Sequence, residues 1–197
     1  MLSQGLDFLD LGGYSSRPGA VDVSEAEELQ RVIPVIEKLH HEFPDLIISI
    51  DTFRSKVADA AIKAGASIIN DISGGGLDPA IYGIAAKHKA PYILMHMRGT
   101  PQTMGQFTSY DSIIQDMLFY FSEKIELAKA AGVTDIILDP GIGFSKTPEQ
   151  NFEVLANLHG FSVLECLILL GVSRKSMICK TLNISAEESL NGTTVLN

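Results

Sequence analysis

The sequence predicts an α/β fold of the TIM (β/α)8 barrel kind, with about six of the eight βα units present. Six short apolar runs of strand composition, at 8–11, 46–50, 67–72, 92–95, 136–138 and 167–172, alternate with longer stretches of helical period. The runs are mostly apolar throughout, as strands covered on both faces are. Polar residues sit at or just past the C-terminal end of nearly every run: Asp10, Asp51 and Thr52, Asn70 and Asp71, His96, Asp139, and Ser173 to Lys175. Regular alternation also fits a doubly wound open sheet, but a barrel gathers strand ends around one mouth, whereas an open sheet spreads them along an edge. Six units in 197 residues fall short of the eight found in about 250. A single partial barrel domain over 1–197 is therefore expected.

The helices between the strands are signalled by stripe and cap. After the run at 8–11, Leu29, Val32, Ile33, Ile36 and Leu39 form one apolar face, with Ser24 and Glu27 spaced as a capping box. The longest helix spans about 111–131, with Ile114, Met117, Leu118, Phe121, Ile125 and Ala128 on one face and Gly132 as its stop. Thr147, Pro148 and Gln150 open another with a second capping box and proline at the first helical position. Ser185 and Glu188 have the spacing of a third.

Composition narrows the partners. With 46% hydrophobic and 20% charged residues the chain can bury one sizeable core. Its net charge of -9 argues against a nucleic acid or an anionic membrane as partner, so an anionic substrate must meet a local cationic site. No apolar run approaches the roughly 18 residues of a membrane span, and the opening residues have no secretory pattern. The expectation is a cytoplasmic protein. Cys166 and Cys179, set among aliphatic residues, read as reduced core thiols.

Each polar strand end has a plain structural role open to it. Asp51, ending Ile-Ser-Ile-Asp-Thr, either caps a helix beginning near Ser55 or faces the mouth. Asn70 and Asp71 precede a glycine-rich turn at 74–76 and could serve it. Asp139 opens Asp-Pro-Gly-Ile-Gly-Phe, a tight-turn motif. Taken together, Asp51, Asn70 and Asp139 place two carboxylates and an amide in one mouth. A carboxylate can accept two parallel N–H bonds from an aminopyrimidinone edge, which is the chemistry of pterin recognition. Arg174 and Lys175, in Gly-Val-Ser-Arg-Lys-Ser, are cations at a helix start, where they oppose the dipole; Lys175 is the one expected to point inward. In the loop after the first strand, Arg17 could hold a carboxylate or phosphate.

Six motifs in order make a specific resemblance. Asp-Leu-Gly-Gly-Tyr-Ser-Ser-Arg-Pro-Gly-Ala at 10–20, Ser-Ile-Asp-Thr at 49–52, Ile-Asn-Asp-Ile-Ser at 69–73, Leu-Met-His-Met at 94–97, Asp-Pro-Gly-Ile-Gly-Phe at 139–144 and Gly-Val-Ser-Arg-Lys-Ser at 171–176 resemble the dihydropteroate synthase family, most closely its bacterial members. The resemblance covers the whole chain and implies a barrel of the pterin-binding type. It implies that Asp139 takes the 2-amino and N3 hydrogens of the pterin, Asn70 and Asp51 other ring atoms, and Lys175 the ring oxygen. Asp51, Asp139 and Lys175 are the implied catalytic residues. Ser16, Arg17, Phe144 and Ser173 would border the diphosphate and 4-aminobenzoate. The family reaction joins a pterin methyl diphosphate to 4-aminobenzoate with loss of pyrophosphate, through a cationic pterin that nearby carboxylates stabilise. Mg²⁺ and a homodimer are also implied.

The sequence departs from the family pattern at Tyr14, where Glu or Gln is usual, and at Ser16, where Thr is usual. The family's first strand and mobile loop, with an Asn serving Mg²⁺ and diphosphate, would precede Met1, and its final Arg-x-His anion site would follow Asn197. The expectation is a chain that recognises a pterin but synthesises little dihydropteroate. Other readings are a non-catalytic pterin-binding fragment and a methyltetrahydrofolate:corrinoid methyltransferase-like barrel; the latter shares the Asp, Asn, Asp set but not the Ser-Ser-Arg-Pro-Gly and Ser-Arg-Lys-Ser motifs. The five histidines show no metal-ligand spacing, so no protein-built metal site is expected. His96 either lines the mouth or is a hydrogen-bonded structural residue. The segment from Gly143 to Thr147 lacks phosphate-loop spacing.

Overall fold

The computed structural model describes residues 5–17 and 21–197. Of the loop motif at 10–20, the last three residues (Pro18, Gly19 and Ala20) lie outside the described residues, as do Met1 to Gln4 of the opening segment. Elements follow in the order β1 (Phe8–Gly12), α1 (Glu25–Glu42), β2 (Ile47–Asp51), α2 (Ser55–Ala64), β3 (Ile68–Asp71), α3 (Ala80–His88), β4 (Tyr92–Met95), α4 (Ile113–Ala130), β5 (Ile136–Asp139), α5 (Pro148–Ala156), β6 (Leu167–Ile168), α6 (Ser176–Leu182) and α7 (Leu190–Leu196).

All six strands are parallel, and their order in the sheet is their order in the chain. A doubly wound sheet starts in the middle and reverses direction. A barrel never does, so this order and the unreversed winding are those of the (β/α)8 class. The two faces of the sheet differ accordingly. Ile48, Ile50, Ile69, Tyr92, Leu94 and Leu138 are fully buried against the helices. The alternate residues, among them Phe8, Asp10, Ser49, Asn70, Ile93 and Ile137, line a cleft of about 380 Å³ on the opposite, concave face.

Helix stripes pack as their spacing predicts. Val32 and Ile36 of α1, and Met117, Phe121, Ile125 and Ala128 of α4, enter the core. The cap at Thr147 is reciprocal, Gln150 N donating to Thr147 Oγ1 and Thr147 N to Gln150 Oε1. At Ser24 only half the predicted box forms: Glu27 N donates to the serine (3.2 Å), while the Glu27 carboxylate turns to Arg31. Ser185 and Glu188 bond reciprocally, but around a turn, and the helix begins only at Leu190. The final run, predicted at 167–172, is a strand only at Leu167–Ile168. Among the described residues it bonds β5 alone, and its Leu167 is 73% exposed. Cys166 and Cys179 are free and half-buried, less enclosed than expected. Among the described residues, no helix is long and apolar enough to cross a membrane.

Candidate functional site

The site lies at the C-terminal ends of β2 to β5, and strand alternation decides which polar residues face it. Asn70 and Asp71 are adjacent and so point to opposite sides. Asp71 is buried and accepts from Ser73 N and Oγ (both 2.8 Å), Gly75 N (2.7 Å) and Tyr92 Oη (2.6 Å). The turn role therefore belongs to Asp71. Asn70 lies on the concave face, where its Nδ2 donates to Asp10 Oδ2 (3.1 Å) and its buried Oδ1 has no partner. A buried amide oxygen without a donor is costly, and it marks where a ligand hydrogen would be met.

Asp51 pairs in register with Asn70 on one side and Gly12 on the other. It does not cap α2, because Asp78 Oδ2, from far along the chain, accepts from Ser55 N (2.7 Å). Burial, followed by the negative field of Asp10, Asp71, Glu28 and Asp139, raises the Asp51 carboxyl to about 8. Asp139 is likewise pushed up by burial, although Gly141 N donates to its Oδ1 (2.7 Å) and Lys175 and Lys146 favour its anion. Lys175 points inward as expected. Its Nζ donates to Ile142 O (2.7 Å) and stands 5.1 Å from the centre of the Phe144 ring. Arg174 faces out with a left-handed φ of 51°. Beside these groups is a small apolar cluster of Ile72, Met95, Met97 and Met104, with Phe53 and Phe144 packed on it. Polarizable methionines next to converging carboxylates suit the face and edge of a flat polar heterocycle.

A family model described as pterin binding enzyme matches residues 1–196. The chain belongs to the pterin binding enzyme family. It is 50% identical over 185 residues to the dihydropteroate synthase of Synechocystis sp., covering 93% of this chain and 64% of that relative. The chain thus spans just under two thirds of that protein's length. Its fold matches a Clostridium difficile dihydropteroate synthase solved in the presence of pteroic acid, with a TM-score of 0.92 and 42% identity, over 99% of this chain and 72% of that one. It also matches the Xanthomonas albilineans enzyme with 4-aminobenzoic acid, with a TM-score of 0.91 and 36% identity, over 99% and 70% of the respective chains.

Against the pterin-binding pattern, the structure gathers Asp51, Asn70, Asp139, Lys175 and Phe144 at one mouth and leaves the other candidates at its rim. Ser16 is half-buried, while Arg17 and Ser173 are exposed. No hydrogen bond among the described residues ties these three to the carboxylates. Tyr14 is anchored differently from a Glu or Gln: its ring meets Phe53 edge-on (5.1 Å), Arg54 lies over both rings, and its hydroxyl accepts from Gln102 Nε2 (2.5 Å). His96 takes the structural alternative. It is 1% exposed among Tyr110, Tyr120 and Phe121, and burial holds it neutral with a value of about 2.

Three contributors escaped the sequence reading. Asp10, noted only as a strand end, is part of the acidic cluster through Asn70. Glu28, fully buried in α1, accepts from Thr52 Oγ1 (2.7 Å) and pairs with Arg54 (2.5 Å), bracing the residues that follow Asp51. Lys146 is buried between the ends of β4 and β5. For Asp10 and Glu28 nothing local signals the role, since the partners lie 60 and 24 to 26 positions away, and Lys146 adds to two near acceptors, Gly141 O and Phe144 O, one 50 positions away, His96.

Proposed function

We propose that this chain carries the pterin-recognition core of a dihydropteroate synthase, which condenses (7,8-dihydropterin-6-yl)methyl diphosphate with 4-aminobenzoate to give 7,8-dihydropteroate and pyrophosphate. The observation that carries the reading is the convergence of Asp51, Asn70, Asp139 and Lys175 at one concave end beside a methionine-lined apolar patch. Pteroic acid and 4-aminobenzoic acid, present with the two matched enzymes, support the same substrate pair here.

On this reading Asp139 accepts the 2-amino and N3 hydrogens of the pterin. Its Oδ1 keeps a lone pair beyond the one used by Gly141 N. Asn70 Oδ1 accepts a ring hydrogen, and Lys175 donates to the ring oxygen. Asp51, held neutral near pH 7 in the free protein by burial and then by the neighbouring carboxylates, gives up its proton to solvent as positive charge develops on the ring during C–O cleavage and pyrophosphate departure, because an adjacent cation favours the carboxylate. The amine of 4-aminobenzoate then attacks the methylene carbon, forming the C–N bond, and the proton it sheds passes to solvent. Ser16, Arg17 and Ser173 border the diphosphate and 4-aminobenzoate. Mg²⁺ belongs to the family reaction; among the described residues no three or more His, Cys, Asp or Glu converge, an ion of this kind is commonly held by one or two protein oxygens together with substrate phosphates, and no step is assigned to it. The acidic surface and two free cysteines favour a cytoplasmic protein without a nucleic-acid partner. A homodimer rests on family resemblance, and sedimentation velocity reads it directly.

The test is pyrophosphate release from the pterin methyl diphosphate with 4-aminobenzoate and Mg²⁺. It compares this chain with one extended at both ends by the flanking segments of the Synechocystis relative. Substantial release is expected from the extended chain and much less from the shorter one. Each should bind 6-hydroxymethylpterin. Absence of pterin binding in both would overturn the reading.

A further inference from the structure

We infer that Lys146 is a positioning residue for the pterin site: its buried amino group clamps the 140–146 loop onto the end of β4 and so fixes Asp139 and Phe144. The inference rests on the pterin reading of that mouth. Lys146 is 8% exposed, and its Nζ lies 3.0 Å from each of three acceptors: Gly141 O, Phe144 O and His96 Nδ1. An ammonium has three hydrogens, so the charged form satisfies all three at once. His96 is neutral, and in the tautomer protonated at Nε2 its Nδ1 accepts a hydrogen bond from the ammonium.

The acceptors are placed to hold the site. Gly141 follows Asp139 by two residues and donates to its carboxylate, and Phe144 packs on the methionine patch under Lys175. The loop can approach β4 only because residue 141 is glycine. Its φ is +64°, and a Cβ there would fall 2.2 Å from His96 O. Neighbouring bonds run between the same two elements: Arg98 N to Ser145 Oγ (2.9 Å), Ser145 Oγ to Arg98 O (2.8 Å) and Tyr110 Oη to Ser145 O (2.9 Å). Within this brace Lys146 carries the charge that favours the Asp139 anion.

Proton occupancy gives the clamp a signature that a passive support lacks. Lys146 faces Asp139 from β5, Lys175 from the start of α6, and Arg98 and His96 from beyond β4. Burial, with the two other cations, lowers it to about 7. Once deprotonated, it has two hydrogens for three acceptors and no longer offsets Asp139. Pterin affinity should therefore fall as pH rises through this range. Asp51 titrates nearby, at about 8, so the informative quantity is the difference between the profiles of the unsubstituted chain and Lys146→Met. Methionine keeps the length and removes both charge and donors.

The experiment is calorimetric titration of the full chain and Lys146→Met with 6-hydroxymethylpterin from pH 5.5 to 8, with thermal melts to establish folding. Folded Lys146→Met should bind on the order of tenfold to a hundredfold more weakly at low pH, with the gap closing towards pH 8. Equal affinity and equal pH dependence in the two proteins would overturn the clamp. If Lys146→Met does not fold, ¹⁵N-lysine NMR of the unsubstituted chain decides: pterin must raise the titration midpoint of the Lys146 Nζ signal, and an unmoved signal would overturn the clamp. Absence of pterin binding by the unsubstituted chain at every pH would instead overturn the pterin reading, and the clamp with it.

Discussion

The wall formed by the ends of β2 to β5 together with Lys175, and the rim formed by segments 13–17 and 171–174, carry residues of the same proposed site but are built differently. On the wall, nearly every polar atom not aimed at the mouth is engaged: Asp71 by four bonds, Glu28 by Thr52 and Arg54, Lys146 by three acceptors. On the rim, Arg17 and Ser173 stand in solvent, and the aromatic contact and hydrogen bond of Tyr14 lie outside the carboxylate cluster. The difference follows from charge. Asp10, Asp71, Glu28 and Asp139 all set like charge against Asp51, and such a cluster persists only where the surrounding structure over-determines it. On the proposed function, a rim that would admit a second substrate and release pyrophosphate has no such need and gains from remaining open.

The comparison breaks most visibly at Glu28. Glu28→Ala leaves Arg54 without its buried partner, and loss of one member of a buried ion pair typically costs about 3–5 kcal/mol. Urea denaturation should register a loss of this size, and a value near zero would mean the wall is not held from α1. Asp51→Asn acts in the opposite sense. The folded-state pKa lies above the unfolded value of 3.8, at about 8, so the folded protein binds the extra proton across that window. Stability therefore declines as pH rises from about 4 through 8. Asp51→Asn should flatten that decline and stabilise the protein by roughly 0.5–2 kcal/mol at pH 8 while, on the proposed function, abolishing pyrophosphate release by the extended chain, as substitution of a strained functional group does. Thermal melts across the pH range check it. The smallest effect is expected at the rim. Tyr14→Phe removes one hydrogen bond, to Gln102, keeps the edge-on contact with Phe53, and should cost about 0.5–1.5 kcal/mol. A larger loss by the same melts would move Tyr14 from rim to wall.

Much of this architecture is legible in the sequence because it is periodic or local. The alternation of apolar runs and helical stripes gives the barrel order, and the Thr147 cap forms as spelled. Asp139 and Lys175 are found because each ends or follows an apolar run in a recognisable motif. What is not legible depends on contacts across the fold. Asp51 looks like a cap until Asp78 is seen to occupy that role. Glu28 sits one position from the predicted capping glutamate, and only the approach of Arg54 explains why it is buried while Glu27 faces solvent. Lys146, in a segment whose phosphate-loop likeness fails, acquires its role from His96. The sixth strand covers only Leu167–Ile168 of its apolar run, and composition alone does not say how far along such a run strand pairing extends.

The central claim, that the wall recognises the pterin and the rim does not, is tested most directly by titrating 6-hydroxymethylpterin into Asp139→Ala and Arg17→Ala side by side in a calorimeter. Asp139→Ala removes charge-assisted bonds worth about 1.5–3 kcal/mol each and should lose most or all measurable pterin binding while remaining folded. Arg17→Ala should bind pterin as the unsubstituted chain does, with stability changed by no more than about 0.5 kcal/mol. Full pterin affinity in folded Asp139→Ala, or its loss in Arg17→Ala, would contradict the account.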